Sequence, residues 1–202
     1  MKKITTLLMV SAILLASFTA ADGYKVGDKA ADFRLKNIDN KMVSLADHKD
    51  AKGIILVFTC NHCPFAKKYE SRIMALDKKY KSKGFPVIAI SPNDPTVVAE
   101  DSFENMQKLA AEKKYTFPYL FDETQLTAKA YGAAKTPHVF ILQKVNAEYI
   151  VRYIGAIDDN SDDEVGVKEK YVESAVDNIL SGKTVNPGMT KAIGCSIKWK
   201  KQ

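Results

Sequence analysis

Residues 53–91 read "GIILVFTCNHCPFAKKYESRIMALDKKYKSKGFPVIAIS". The opening run, 53–59, is continuously apolar and β-branched, which is how a strand buried on both faces reads. Beyond it, Phe65, Tyr69, Ile73, Leu76 and Tyr80 recur at steps of four, four, three and four. That spacing predicts one apolar stripe of a helix, with Lys67, Lys68, Lys78 and Lys79 largely off it. Gly84 supplies a helix stop, and 85–91 is a second buried strand. Two such strands joined through a helix require a right-handed crossover and parallel pairing. The fold class is therefore α/β.

Working outward, "DFRLKNIDNKMVSL" (32–45) reads as two short strands turned at Asp39 and Asn40. Asp101 with Glu104 resembles a capping pair opening a helix through about Lys113, with Phe103, Met106 and Ala110 inward. "FPYLFD" (117–122) is a short strand and "TQLTAKAYG" (124–132) a short helix closed by Gly132. "HVFILQ" and "AEYIVRYIG", separated by "KVN", form an antiparallel hairpin. A last helix is expected from about Asp163 to Ser181, with Gly182 ending it.

The chain begins "MKKITTLLMVSAILLASFTAADG". Lys2 and Lys3 precede an apolar run from about Ile4 to Phe18, and Thr19 and Ala21 are the small residues of a cleavage site. That is the build of a secretory signal peptide over 1–21. The run is shorter than the ~20 residues that span a bilayer comfortably. The expectation is an exported protein, in a bacterial periplasm, where disulfides persist. Removing 21 residues from 202 leaves 181, within the size of one domain. Residues 22–202 are thus expected as a single domain, with 183–202 a C-terminal tail. The formal charge falls from +6 to +4, since the leader holds two lysines and no acids. The lysines are scattered among acids with no basic stripe or interleaved aromatics, which argues against nucleic acid. After cleavage no membrane association is expected.

Three cysteines are present, two of them Cys60 and Cys63 with His62 between. A redox dithiol, a metal clamp and a structural disulfide all compete for such a pair. The pair lies where the first core strand meets its helix, and the helix N-terminus directs unpaired N–H groups and partial positive charge there. A thiolate is stabilised in that place, and the thiolate is the nucleophile of disulfide exchange. Cys60 is expected to be the more exposed and to attack. Cys63, one turn in, resolves the mixed disulfide. A purely structural bridge between them would close a tiny loop and constrain little of the unfolded chain. His62 is expected to tune Cys60, lowering its pKa when charged, and Asn61 and His62 can offer donors to the thiolate. Pro64 has no N–H to lose in the first helical turn.

These residues resemble the thioredoxin superfamily, and more closely its redoxin branch of alkyl hydroperoxide reductase and thiol-specific antioxidant proteins. Within that branch the chain resembles a peroxiredoxin-like group carrying a thioredoxin-type C-x-x-C. The segments that carry the likeness are "VGDKAADFRL" (26–35), "ILVFTCNHCPFAKKYESRI" (55–73), "KTPHVFIL" (135–142), "VRYIGAIDDN" (151–160) and "GCSIKWK" (194–200). The resemblance implies a thioredoxin fold: a central mixed sheet flanked by helices, with an N-terminal strand hairpin. It also implies a cis peptide at Thr136–Pro137 beside the dithiol, where the backbone pairs with an extended substrate chain. The chain departs from thioredoxin at Thr59, where an aromatic residue is usual, and at Ile54, where a buried acid is usual. It departs from the peroxiredoxin P-x-x-x-[T/S]-x-x-C as well. Counted from Cys63 the hydroxyl and proline positions are Cys60 and Leu56; counted from Cys60 they are Val57 and Gly53.

The reading is an exported thiol–disulfide oxidoreductase acting on protein thiols and disulfides with an unidentified redox partner. Peroxide remains an alternative substrate, as for a thiol peroxidase. No organic cofactor is implied and no metal is assigned. A copper-binding thioredoxin-fold chaperone is a further alternative, since two thiolates with His62 or His138 suit Cu(I) or Zn. His48 is given no role. Cys195 is the odd cysteine: a packed inert thiol, a resolving thiol or a dimer-forming one. Ile193, Ile197 and Trp199 are the tail's candidate anchors.

Overall fold

The computed structural model describes residues 23–201. The leader-like stretch 1–21 lies outside them. Among the described residues no helix is long and apolar enough to cross a membrane.

In chain order the elements are β1 (Arg34–Asn37), β2 (Met42–Ser44), β3 (Gly53–Phe58), α1 (Pro64–Tyr80), β4 (Val87–Ser91), α2 (Phe103–Lys113) and β5 (Tyr119–Phe121). There follow α3 (Leu126–Tyr131), β6 (Lys135–Thr136), β7 (His138–Val145), β8 (Glu148–Gly155), α4 (Tyr171–Leu180) and β9 (Cys195–Ser196). Seven strands form one mixed sheet in the order β2-β1-β5-β4-β3-β7-β8. β3 pairs with β4, and β4 with β5, in parallel; the remaining neighbours are antiparallel. β6 and β9 make a separate two-stranded antiparallel sheet.

β3 shows why the sheet forms here. Its side chains alternate between two cores. Ile55 and Val57 face a cluster with Tyr69, Ile73, Leu76 and Tyr80 of α1 and Val172, Ala175 and Val176 of α4. Ile54, Leu56 and Phe58 face the other cluster, with Tyr131, Phe140 and Ile197. Each fully buried Val, Leu, Ile or Phe stabilises by about 1.5–3 kcal/mol, so a strand apolar at every position is held only between two layers. α1 buries the expected stripe apart from half-buried Phe65, and Lys67, Lys68, Lys78 and Lys79 stay in water. Gly84 takes the left-handed conformation, φ 91°, that stops the helical segment.

Some boundaries differ from expectation. α2 is capped by Ser102, whose hydroxyl accepts from the Asn105 amide, and not by Asp101, whose carboxylate is turned inward toward residues 61–62. The last helix begins at Tyr171 rather than near Asp163. The side chain of Asn160 accepts from the amides of Asp162 and Asp163, and Asp163 accepts from Val165. Such local bonds give the backbone an alternative to helix. The second core strand begins at Val87, with Phe85 buried just before it. The β7–β8 hairpin turns at Asn146–Ala147, both at positive φ, so the strands extend to Val145 and from Glu148. Paired positive φ values are those of a two-residue type I′ turn.

Candidate active site

Cys60 lies in the loop between β3 and α1, and Cys63 is the N-cap residue of α1 with Pro64 at the first turn. The Thr136–Pro137 peptide is cis and lies against both. Cys60 Sγ is 3.2 Å from Thr136 Oγ1, and Cys63 Sγ is 3.2 Å from the Thr136 carbonyl oxygen. The order of exposure is the expected one, 5% for Cys60 and 0% for Cys63, yet both are buried.

The disulfide is not the expected Cys60–Cys63 pair. Cys63 is bonded to Cys195, 132 residues away, with the two Cα atoms 6.0 Å apart, and Cys60 is a free thiol. Cys195 is therefore not a free packed thiol; it pairs within the chain, with Cys63. β9 brings it to the site by pairing with β6, where Cys195 stands opposite Thr136.

The electrostatics of Cys60 also run against expectation. Its pKa is raised to about 11, first by burial and then by the negative charge of Asp101. The Thr136 hydroxyl and the backbone amides of Cys63 and His62 act in the opposite direction. The helix N-terminus thus contributes as expected and is outweighed.

Asp101 organises this loop. Its Oδ1 accepts from the amides of Asn61 (2.7 Å) and His62 (3.0 Å), and its Oδ2 accepts from Asn93 Nδ2 (2.7 Å) and lies 2.5 Å from His62 Nδ1. Three of these contacts to one fully buried carboxylate fix residues 61–62 against the start of α2, and the fourth ties in Asn93. His62 Nδ1 is 3.6 Å from Cys60 Sγ, so the imidazole lies between the sulfur and the acid. Asn61 does not face the sulfur. Its amide nitrogen donates to the Glu100 carbonyl and its oxygen accepts from Tyr119 Oη. A cavity of about 280 Å³ adjoins Cys60, bordered by Asn61, Lys67, Glu70, Tyr115 and Tyr119.

Among the described residues, Cys60, His62 and Asp101 form the group that could hold a metal ion, with ligand atoms within 4.8 Å of one another. His138 is not part of it. Burial lowers its pKa to about 4, and its Nδ1 accepts from the Ala134 amide. Of the tail residues, Ile197 is an anchor at 4% exposure, Trp199 lies under Lys129, and Ile193 is exposed at 40% and anchors nothing.

Sequence reasoning missed Asp101 as a site residue because an acid before an amphipathic stretch reads as a helix cap. Ser102, the better-placed cap one residue on, was the signal that Asp101 was free for other work. Asn93 carried no signal of its own, since only the fold brings it to Asp101.

The same architecture occurs in known proteins. Thiol-disulfide oxidoreductase ResA of Bacillus anthracis is 30% identical over 155 residues, covering 71% of this chain and 85% of that protein. The crystal structure of an uncharacterized conserved protein from Geobacillus kaustophilus superposes with a TM-score of 0.81 at 39% identity, covering 88% of this chain and 94% of that one. For fold alone, the thioredoxin domain of a thiol-disulfide oxidoreductase from Bacteroides vulgatus gives a TM-score of 0.53 at 18% identity, over 66% of this chain and 91% of that one. The AhpC/TSA family pattern matches residues 26–158, from the segment before β1 through the sheet to the loop beyond β8. With the thioredoxin-type sheet and the cysteines beside Thr136–Pro137 already established, that match over most of the chain assigns it: the protein belongs to the AhpC/TSA family, in the redoxin branch of the thioredoxin superfamily.

Proposed function

We propose that this protein is an exported thiol–disulfide oxidoreductase that exchanges disulfides with protein thiols through Cys60 and Cys63. The observation that carries the reading is the convergence of both sulfurs on Thr136, at the junction of β3 and α1. Cys60 attacks a sulfur of the substrate disulfide, because it is the cysteine that holds a free thiol and borders the cavity. Once the Cys63–Cys195 bond has been reduced by a dithiol, the Cys63 thiolate attacks Cys60 in the mixed disulfide, the Cys60–Cys63 bond forms and the substrate thiolate leaves. Thr136 and Pro137 form the edge on which an extended substrate chain pairs. His62 and Asp101 set the charge beside Cys60; Asn61 holds the loop and does not contact the sulfur.

Action outside the cytosol, in a bacterial periplasm, fits a disulfide linking residues 132 apart, since such bonds persist in oxidising compartments. The leader-like residues 1–21 and the domain spanning 22–202 belong to the same proposal. Membership of the AhpC/TSA family keeps peroxide as a second candidate substrate. The test is reduction of insulin by the mature protein with dithiothreitol as electron source, beside consumption of hydrogen peroxide. Catalysed insulin reduction that is lost in Cys60→Ser is the expected result. Peroxide turnover without insulin reduction would replace this reading with the peroxidase one.

A further inference from the structure

The edge beside Pro137 is already occupied by the chain itself. β9 runs antiparallel to β6, with Cys195 opposite Thr136 and Ser196 opposite Lys135. The approach is close enough to require glycine just before it. A Cβ on Gly194 would lie 2.2 Å from the Thr136 carbonyl oxygen and 2.6 Å from its carbonyl carbon.

Non-covalent bonds hold the residues that follow. Ile197 is buried in the core. The Lys198 amide donates to Asn93 Oδ1, and its carbonyl accepts from Gln125 Nε2 and the Asp94 amide. The Lys200 amide donates to Gln125 Oε1. The tail therefore has its own anchorage, and a bridge is not needed to place it. Yet the bridge takes the sulfur of Cys63, one partner of the C-x-x-C, and leaves Cys60 unpaired in the same small cluster.

We propose that Cys195 is a third redox residue of this site, exchanging the disulfide between Cys60–Cys63 and Cys63–Cys195 while its strand occupies the edge that receives a substrate chain. This rests on the oxidoreductase reading. The internal step balances without any further reactant. Cys195 loses its proton to solvent, and its thiolate attacks Cys63 Sγ. The Cys63–Cys195 bond forms, the Cys60–Cys63 bond breaks, and Cys60 leaves as a thiolate and takes up a proton. One disulfide and one thiol stand on each side of the step. An external dithiol then reduces Cys63–Cys195, becoming a disulfide itself, and a substrate disulfide reoxidises the Cys60–Cys63 pair.

Two consequences follow from the geometry. A substrate chain cannot pair at Thr136 until β9 leaves, so release of Cys195 and admission of substrate are one event. The Asn93 side chain bonds both the tail and Asp101, so docking is also linked to the acid beside His62 and Cys60.

The test uses the full mature chain. Reduced protein receives one equivalent of diamide, aliquots are quenched in acid, and the remaining thiol is alkylated after denaturation and mapped by mass spectrometry. With three cysteines and one disulfide, the labelled cysteine reports the pairing. Label on Cys195 at early times that moves to Cys60 is expected. Gly194→Ala, which keeps all three cysteines, should retain more label on Cys195. Label that stays on Cys195 in the wild type overturns the relay. So does a Cys63–Cys195 bond that survives native treatment with dithiothreitol sufficient to reduce Cys60–Cys63 in Cys195→Ser, since that bridge would be static. Insulin reduction with Cys195 always free would refute the relay alone, whereas a moving label without insulin reduction would refute the oxidoreductase reading alone.

Discussion

Cys195 and Thr136 are paired residues of one antiparallel ladder, although 59 positions separate them in the chain. Thr136 also meets the other two sulfurs, through its hydroxyl to Cys60 and its carbonyl to Cys63. The three cysteines of the site are thus gathered around one threonine, next to the cis peptide that joins it to Pro137.

With the tail docked, Cys60 is protonated at neutral pH. Its pKa near 11 is caused mainly by burial, with Asp101 adding to it. The rate of Cys60 alkylation in the oxidised protein should rise about tenfold per pH unit from pH 7 to 10, as the thiolate fraction does. Asp101→Asn removes the negative charge and should move the whole profile to lower pH. A rate already level below pH 8 would contradict this electrostatic picture.

Removing His62 takes away the group between Cys60 and Asp101. His62→Ala should leave the acid's charge less opposed, raise the Cys60 pKa further and destabilise the reduced state. One pKa unit corresponds to about 30 mV for a two-electron couple, and the imidazole is partly solvated, so a fall of a few tens of millivolts is the ceiling. Equilibration of Cys195→Ser with and without His62→Ala in glutathione buffers measures it. An unchanged potential would make His62 a bystander.

His138 gives the fold an acid-sensitive point. Its pKa is lowered from 6.5 to about 4 by burial. A depressed pKa means the unfolded chain binds the proton first, so the stabilising contribution is full above pH 6.5 and is lost as pH falls through 4. That depression is worth about 3 kcal/mol. Denaturant midpoints should fall between pH 7 and 4, and His138→Gln should remove that part of the fall. Equal pH dependence in both proteins would show that His138 titrates normally.

Peroxide should be a poor substrate. Neither cysteine has the proline and hydroxyl of the peroxiredoxin pattern, and Cys60 is buried and protonated. Peroxide attack needs thiolate character and access. Stopped-flow oxidation by hydrogen peroxide should be slow beside exchange with a protein disulfide; a faster peroxide reaction dependent on Cys60 would reverse that order.

The layers of this fold are legible in the sequence because their causes are local. Ile54 to Phe58 are apolar at every position, and the Tyr69–Tyr80 stripe has helical spacing, so each element announces its burial. The Cys60–Cys63 pair and Pro137 were likewise readable as motifs. What brings Cys195 and Asp101 to them is long-range. Cys195 arrives by a two-residue strand too short to leave a pattern, and the Asp101 carboxylate acts 39 residues from His62 in sequence. The same limit produced the wrong expectation for the Cys60 pKa. Helix position is visible in a sequence, while burial and a distant acid are not.

The most direct measurement of Cys60 as the attacking thiol is trapping with the Cys63→Ser/Cys195→Ser double variant, which leaves Cys60 without either partner. Incubated with a protein substrate containing an accessible disulfide, it should accumulate a mixed disulfide through Cys60, seen as a covalent adduct that dithiothreitol removes. A folded variant that forms no adduct at any pH up to 11 would contradict the assignment of Cys60 as nucleophile and, with it, the proposed exchange mechanism.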